Sequence, residues 1–289
     1  MVNMSPCDIC LDERCEGKHN CHCATCELAS KCNKHLHPTI RITNKCTQEC
    51  EHCCYSSSPK SKIMMPVEMS EKIAKFMKAN GIEGANLLGG EFFCNPDWFE
   101  ILSNIVDVCN VARIVTNGDW ATSEKVKTKL AEFIDKYKKK VLFSVSKDKW
   151  HNNRNVDAAA EFLKEHGAAY NVATDEQTTD NSIVPVGRAM FNYIGGGYYS
   201  MVGCYCRDGK NQYSFMIDED GIIYKCGFGV FSYASVDEYI DGGFRKRFKE
   251  YNTFFYSKFI PSCKTCSQFV YMNCSGMESK YGRHMTKLD

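Results

Sequence analysis

The sequence predicts an α/β fold built on a parallel sheet or a barrel, and three observations lead to that class. Apolar strand-like runs alternate with helical segments between residues 38 and 174. Repeated strand–helix units with right-handed crossovers bring their strands together in parallel. Glycine and polar residues follow four successive strand-like runs, which is typical of a site at the carboxyl ends of parallel strands.

The order of strands and helices follows from apolar periodicity and from the residues that stop each element. Pro66 is tolerated in a first helical turn, and Asn80 with Gly81 ends the same helix. Asn95 and Pro96 precede apolar residues at helical spacing. The predicted strands are 38–43, 84–88, 111–116, 140–146 and 168–174, and the predicted helices are 66–81, 95–109, 122–138 and 155–167.

The segments after the first four strands indicate one shared cleft. Four cysteines lie within residues 46–54, directly after the first strand. The segment GGE (89–91) follows the second strand, NGD (117–119) the third and SKDKWH (146–151) the fourth. Ordinary turns would explain the glycines but not the cysteines.

The composition narrows the function classes. Hydrophobic residues at 44% and charged residues at 25% are values of a globular chain, and a net charge of +1 gives no electrostatic reason to expect nucleic acid or an anionic membrane as a partner. We expect no signal peptide and no membrane span, since no apolar run has the required pattern or length. A cytoplasmic location follows, where thiols stay reduced and 19 cysteines at short spacings indicate metal ligation.

The densest cysteine group has the spacing C-x3-C-x2-C, formed by Cys46, Cys50 and Cys53. Three thiolates fill three corners of a [4Fe–4S] cube and leave the fourth iron open to a further ligand. A structural zinc ion would need a closed set of four ligands, which His52 or Cys54 could complete. The spacing alone does not distinguish an iron–sulfur cluster from a zinc ion. Cys94 and Cys109 stand apart and are expected to be buried apolar residues.

Five short motifs follow one another along the chain: CTQECEHC, GGE, TNG, SVSKDKWH and PVGRA. In this order they resemble the radical SAM superfamily, over about residues 38–190. The resemblance implies a partial (β/α)6 TIM-like barrel, in agreement with the alternation of strands and helices. The stretch between the fifth strand and PVGRA is too short for a full fifth helix. This argues against a regular sixth strand, for which residues 182–186 are the candidate, and predicts an abridged barrel.

The resemblance also implies roles for single residues. The three cysteines of the first motif would bind a [4Fe–4S] cluster, and the GGE motif would bind the amino group of S-adenosylmethionine. Ser144 and Ser146 would lie near the ribose, Arg188 near the methionyl carboxylate and His52 near the adenine. The implied cofactor-binding residues are Gly89, Gly90, Glu91, Asn117, Ser144, Ser146, Arg188 and His52.

A third cysteine group occupies residues 204–274, and Asp220-Gly221 within it predicts a hairpin turn. Its spacing resembles the SPASM/twitch domains of radical SAM enzymes, which implies at least one auxiliary [4Fe–4S] cluster, with zinc as the alternative. Surplus thiols are candidates to donate a hydrogen atom to a substrate radical. The candidate metal ligands are Cys206, Cys226, Cys263, Cys266 and Cys274, and the candidate donors are Cys204, Cys206 and Cys274.

The N-terminal cysteines form two C-x2-C pairs, Cys7 with Cys10 and Cys23 with Cys26, at a spacing close to that of a zinc ribbon. A further iron–sulfur cluster or a zinc ion is expected there. The predicted domains are a cysteine-rich arm (1–37), a radical SAM partial barrel (38–195) and a twitch/SPASM-like domain (196–289).

The predicted activity is reductive cleavage of S-adenosylmethionine to a 5′-deoxyadenosyl radical that abstracts hydrogen from a substrate. A ribosomally made peptide is the leading substrate, modified by epimerisation, thioether formation or carbon–carbon crosslinking. The alternatives are a small-molecule substrate (a nucleotide, sugar or cofactor precursor) and, more distantly, a non-catalytic electron-transfer protein with several clusters. A flavodoxin- or ferredoxin-type protein is the expected reductant.

Overall fold

The chain forms strands and helices in regular alternation in a computed structural model, which describes residues 36–175, 183, 187–192, 214–224 and 232–258. The strands are β1 (His37–Arg41), β2 (Gly84–Leu88), β3 (Val111–Thr116), β4 (Val141–Lys147), β5 (Ala169–Thr174), β6 (Ser214–Ile217), β7 (Ile222–Tyr224) and β8 (Ser232–Ser235). The α-helices are α1 (Val67–Ala79), α2 (Trp98–Val108), α3 (Glu124–Tyr137), α4 (Val156–Glu165), α5 (Arg188–Phe191) and α6 (Phe244–Lys258). Short 3₁₀ helices lie at Phe92–Cys94, Asp119–Thr122, Asn153–Asn155 and Asp237–Tyr239.

The described strands form one sheet in the order β5-β4-β3-β2-β1-β6-β7-β8. Strands β1 to β5 run parallel to one another, which confirms the predicted parallel sheet. Strand β6 is also parallel to β1, with Ile40 beside Ile217, so β1 lies inside the sheet rather than at its edge. Ile183, the described residue of the candidate sixth strand at 182–186, lies outside any strand.

The two faces of the sheet differ in chemistry because side chains alternate along each strand. One face carries the buried apolar residues Ile40, Leu87, Ile114 and Phe143, which belong to the hydrophobic core together with the inner residues of α1 to α4. The opposite face carries polar residues in neighbouring strands, with Asn86 paired to Arg113 and Ser144 paired to Asn171. The polar face is therefore available to a ligand, as expected of a barrel interior.

The described C-terminal segments continue this sheet. Strands β6 and β7 are antiparallel around a turn at residues 218–221, which confirms the predicted hairpin. Helix α6 packs through Phe244 onto Phe76 of α1 and Phe215 of β6. Asn80, at the end of α1, donates to the Tyr239 carbonyl and accepts from the Phe244 N–H, each at 2.9 Å. The domain boundary at residue 195 stays a prediction.

A buried ion pair joins the same two parts of the sheet. Arg41 Nη2 of β1 lies 2.9 Å from Glu219 Oε2 of the β6–β7 turn, and the two side chains are 1% and 0% exposed. The Arg41 guanidinium also lies over the Tyr55 ring, 5.0 Å from its centroid. Among the described helices, none has both the length and the apolar character needed to cross a bilayer.

Candidate active site

The cysteine motif lies on a loop, residues 44–58, that follows β1 and is called here the cluster loop. Its two ends are held together by the Cys46 N–H, which donates to the Ser58 carbonyl at 3.1 Å. The Cys53 N–H donates to the Cys50 carbonyl at 3.1 Å, which closes a tight turn between those two cysteines. The loop thus presents its cysteines at the carboxyl end of β1, where the sequence predicted a site.

The GGE segment packs directly on this loop. The Gly90 N–H donates to the Thr43 carbonyl and the Glu91 N–H to the Lys45 carbonyl, each at 2.8 Å. A Cβ atom at Gly90 would lie 2.5 Å from the Lys45 oxygen, and one at Gly89 would lie 2.8 Å from Thr43 Cγ2. Two glycines are therefore required for the backbone after β2 to approach the cluster loop this closely.

The Glu91 carboxyl is buried between the ends of β2 and β3. Oε2 accepts from the Asn117 N–H and Oε1 from the Thr116 hydroxyl, each at 2.8 Å. Burial raises the pKa of Glu91 to about 7, although the hydrogen bonds from Asn117, Thr116 and Phe93 act in the opposite direction. A cation placed beside this carboxyl would stabilise its ionised form, because an opposite charge lowers the pKa of an acid.

The cysteines of the loop are free thiols, as are all six cysteines within the described ranges. Burial raises the pKa of Cys50 to about 11. Burial also raises the pKa of Cys46 well above its ordinary value, and the Glu91 carboxyl and the Cys50 and Cys53 thiols add to this rise. The Cys46 and Cys50 thiols are therefore protonated without a metal, and metal binding to them must release protons.

Arg188 also holds the cluster loop, through three hydrogen bonds to its carbonyl groups. Nη1 donates to the Cys50 carbonyl at 2.7 Å, Nη2 to the Ser57 carbonyl at 2.6 Å, and the Arg188 N–H to the Cys53 carbonyl at 2.9 Å. The preceding Gly187 has φ +60°, and a Cβ atom there would lie 2.3 Å from the Cys54 oxygen. In this structure Arg188 positions the cluster loop, and its predicted contact with a methionyl carboxylate stays a prediction.

His52 faces residues that follow β4. Its ring centroid lies 5.8 Å from that of Trp150 and 4.9 Å from that of His151. Burial and the neighbouring His151 lower the pKa of His52 to about 4, so its ring is neutral at pH 7. Within the described part of the chain, His52 Nδ1 and Trp150 Nε1 are buried without a hydrogen-bond partner. These aromatic rings and ring nitrogens suit a planar heterocycle with hydrogen-bonding edges.

Asp148 orients this group of rings. Its Oδ1 accepts from the Trp150 N–H at 3.0 Å and lies 2.7 Å from His151 Nδ1. Burial would raise the pKa of Asp148, but the hydrogen bond and charge of His151 lower it below its ordinary value. The possible ligand atoms of His52, Asp148 and His151 all lie within 4.8 Å of one another.

Of the remaining predicted cofactor residues, Asn117 contacts the cluster loop, whereas Ser144 and Ser146 lie on strand β4. Asn117 donates from Nδ2 to Thr47 Oγ1 at 3.0 Å and towards Cys46 Sγ at 3.8 Å, so it does contact the cluster loop. Ser144 is 2% exposed and its hydroxyl accepts from Arg113 Nη2 at 2.8 Å. Ser146 is half-buried on the same face of β4. Their contacts with a ribose stay predictions.

Several cysteines predicted as metal ligands or hydrogen-atom donors lie outside the described residues, and so do Pro185 and Val186 of the PVGRA motif. These cysteines are Cys7, Cys10, Cys23, Cys26, Cys204, Cys206, Cys226, Cys263, Cys266 and Cys274. Sequence reasoning assigned no individual role to several residues that the structure places in the site, chiefly Gln48, Asp119, Asp148, His151 and Gly187. Asp119, Asp148 and His151 nevertheless lie in the NGD and SKDKWH segments that were predicted to line the shared cleft. Gly187 also carried a signal, since a glycine beside the predicted cofactor arginine indicates close backbone approach.

Two observations bear on whether this site fits the implied cluster and nucleoside cofactor. Four free thiols occupy one loop, three of them in the C-x3-C-x2-C motif, and a bound cation would stabilise the ionised form of the buried Glu91 carboxyl beside that loop. The unpartnered ring nitrogens of His52 and Trp150 offer hydrogen bonds to an adenine edge. The residues present therefore fit both groups.

Comparisons with known proteins agree with this geometry. The sequence profile of the radical SAM superfamily matches residues 40–168. The antilisterial bacteriocin subtilosin biosynthesis protein AlbA of Bacillus subtilis is 30% identical over 113 residues, which are 39% of this chain and 24% of AlbA. The putative peptide biosynthesis protein YydG of the same species is 26% identical over 136 residues, 46% of this chain and 42% of YydG. The chain thus spans less than half the length of either relative.

A solved structure supports the fold. The crystal structure of BtrN in complex with AdoMet and 2-DOIA superposes with a TM-score of 0.53 at 13% sequence identity, covering 76% of this chain and 86% of BtrN. At that identity the likeness concerns the architecture of the sheet and helices. Over residues 40–168 the chain is therefore similar in sequence to the radical SAM superfamily.

Proposed function

We propose that the chain is a radical SAM enzyme that modifies a ribosomally made peptide in the cytoplasm. Cys46, Cys50 and Cys53 would ligate a [4Fe–4S] cluster whose fourth iron takes S-adenosylmethionine. The peptide substrate is supported by the names of two relatives, a bacteriocin biosynthesis protein and a putative peptide biosynthesis protein. Because the matches cover only part of those relatives, the substrate is an inference from relatedness.

The observation that carries the proposal is the packing of the cluster loop against a buried carboxyl. Two backbone hydrogen bonds of 2.8 Å join the GGE segment to the segment that leads into the thiols, so Glu91 and the cysteines form one unit. Glu91 would receive the ammonium of the cofactor, which explains why a carboxyl with a pKa of about 7 is retained in a buried position.

The other residues of the site would bind and orient the cofactor. When bound, the cluster and S-adenosylmethionine supply a 5′-deoxyadenosyl radical that abstracts hydrogen from the substrate. His52 and Trp150 would contact the adenine, and Ser144 and Ser146 would lie near the ribose. Arg188 would keep the cluster loop in place and would approach the methionyl carboxylate with N–H groups that the loop does not use. Holding the reacting groups in a fixed geometry lowers the entropic part of the barrier.

Further cofactors complete the proposal. We place at least one auxiliary [4Fe–4S] cluster on the C-terminal cysteines and an iron–sulfur cluster or zinc ion on the N-terminal pairs. A flavodoxin- or ferredoxin-type protein would deliver the electron. The candidate hydrogen-atom donors remain Cys204, Cys206 and Cys274.

The class is tested by anaerobic reconstitution with iron and sulfide, followed by dithionite and S-adenosylmethionine. We expect 5′-deoxyadenosine from the unaltered protein and none from Cys46→Ala, Cys50→Ala or Cys53→Ala, each of which should also lose the iron of one cluster. Cys109→Ala is the matched control, because Cys109 is buried in the hydrophobic core away from the site. Zinc in place of iron, or no nucleoside product, would refute the class.

The substrate is tested separately with synthetic peptides that match short reading frames next to the gene. Mass spectrometry in deuterated water would detect epimerisation as deuterium uptake and crosslinking as the loss of two hydrogen atoms. A pool of nucleotides and sugars, assayed in parallel, tests the alternative of a small-molecule substrate. If that pool, and not the peptides, raises 5′-deoxyadenosine formation, the enzyme acts on a small molecule.

A further inference from the structure

The Gln48 side chain joins the cluster loop to the connections after both β3 and β4, and the proposed function leaves it without a role. Gln48 is 9% exposed. Its Nε2 donates to Asp119 Oδ2 at 2.9 Å and to the Asn152 carbonyl at 3.2 Å, and its Oε1 accepts from the Asn152 N–H at 2.9 Å. The amide therefore pairs with both backbone groups of Asn152, as a neighbouring strand would.

This network fixes which end of the amide points in which direction. Asp119 is an acceptor that already receives the Thr47 hydroxyl at 2.6 Å and Asn155 Nδ2 at 3.0 Å. Turning the amide over would set Oε1 against the Asp119 carboxylate and Nε2 against the Asn152 N–H. An acceptor would then face an acceptor and a donor would face a donor, so the turned amide would lose these hydrogen bonds at a buried position.

The fixed orientation places an oxygen beside one cysteine sulfur. Gln48 Oε1 lies 3.4 Å from Cys50 Sγ. The other two sulfurs face N–H groups instead: Cys46 Sγ receives the Gln48 N–H at 3.4 Å, and Cys53 Sγ receives the Ser57 N–H at 3.4 Å. When the thiols become iron-bound thiolates, two sulfurs keep hydrogen-bond donors and Cys50 keeps a neighbouring acceptor.

We propose that Gln48 is a positioning residue that holds its amide oxygen against Cys50 Sγ and thereby lowers the reduction potential of the cluster. Reduction adds negative charge to the cluster, and the partial negative charge of the oxygen opposes that addition. Hydrogen bonds to the sulfurs are among the factors that set the potentials of such clusters. A lower potential makes the reduced cluster a stronger electron donor. The inference rests on the proposed ligation by the three cysteines.

The test is a potentiometric titration followed by electron paramagnetic resonance, on the full-length reconstituted chain without S-adenosylmethionine. Gln48→Met and Gln48→Leu remove the oxygen while keeping a side chain of similar volume. Asn155→Ala is the control, since it removes a hydrogen bond to Asp119 but leaves the contacts of Gln48 intact. We expect a more positive midpoint in both Gln48 variants and the unaltered midpoint in Asn155→Ala.

The outcomes separate this inference from the proposed function. If the unaltered chain gives no signal of a reduced cluster, the proposed function fails. If it gives the signal but both Gln48 variants titrate at the unaltered midpoint or below it, the inference alone is wrong. If both variants lose iron while Asn155→Ala retains it, Gln48 serves only to build the loop and the inference is again overturned.

Discussion

Replacing Gly187 by alanine should damage the cluster loop far more than the same change at Gly167. Both glycines have positive φ, +60° and +67°, so alanine costs about 1–2 kcal/mol at either position for the left-handed backbone. At Gly167 a Cβ atom would meet nothing within 4 Å, whereas at Gly187 it would lie 2.3 Å from the Cys54 oxygen and 2.7 Å from the Cys53 oxygen.

The clash at Gly187 adds a second cost. Overpacking costs about 1–3 kcal/mol in well-packed regions, so we expect a total of about 2–5 kcal/mol for Gly187→Ala. If the segment moves away instead of straining, the cost appears as the loss of the three hydrogen bonds between Arg188 and the cluster loop. In either case the loop is less well held and should retain less iron.

The assay combines urea unfolding of the iron-free protein with iron counting after anaerobic reconstitution. Gly167→Ala provides the matched control for the backbone term. The reasoning would be refuted if Gly187→Ala unfolded at the same urea concentration as Gly167→Ala and kept the same amount of iron.

Three further predictions concern burial and strain. Because the pKa of Glu91 is about 7 in the folded chain and about 4.5 when unfolded, the free energy of unfolding should fall as the pH rises from 4.5 to above 7. Glu91→Gln should make the free energy of unfolding less dependent on pH and should raise it at pH 8 by about 3 kcal/mol. Urea unfolding of both proteins at pH 5 and at pH 8 measures the difference. Arg41→Met or Glu219→Gln should each cost about 3–5 kcal/mol by leaving its partner's charge buried, and a double variant that costs the full sum would contradict the coupling. Ser56 has φ 50°, so Ser56→Gly should raise the melting temperature, corresponding to about 0.5–1 kcal/mol; a lower melting temperature would contradict this.

The sequence predicted those parts of the fold that local patterns determine. Strands β2 and β3 were predicted to the residue, because each is a short apolar run whose ends are marked by glycine or polar residues. The hairpin turn at residues 218–221 was predicted for the same reason. The pairing of β6 with β1 was not predicted, because neither segment has a sequence pattern that identifies its distant partner strand.

In the candidate site too, the residues with an informative local pattern were predicted and those that depend on distant partners were not. The cysteines and the GGE segment were found because their spacing is informative by itself. Gln48 was missed because it pairs with both backbone groups of Asn152 as well as with the Asp119 side chain, and a backbone partner has no residue type to recognise. Arg188 was predicted to face the cofactor, yet its side chain reaches the carbonyls of Cys50 and Ser57, which any sequence would supply.

The parallel pairing of β1 with β6 has a consequence for synthesis of the chain. The first strand leaves the ribosome early, but its second neighbour, Ser214–Ile217, follows some 170 residues later. Until then one edge of β1 exposes unpaired N–H and carbonyl groups, which invite association with other chains. A nascent polypeptide that stalls before this segment is therefore expected to aggregate or to need a chaperone, even though its cysteine loop is already complete.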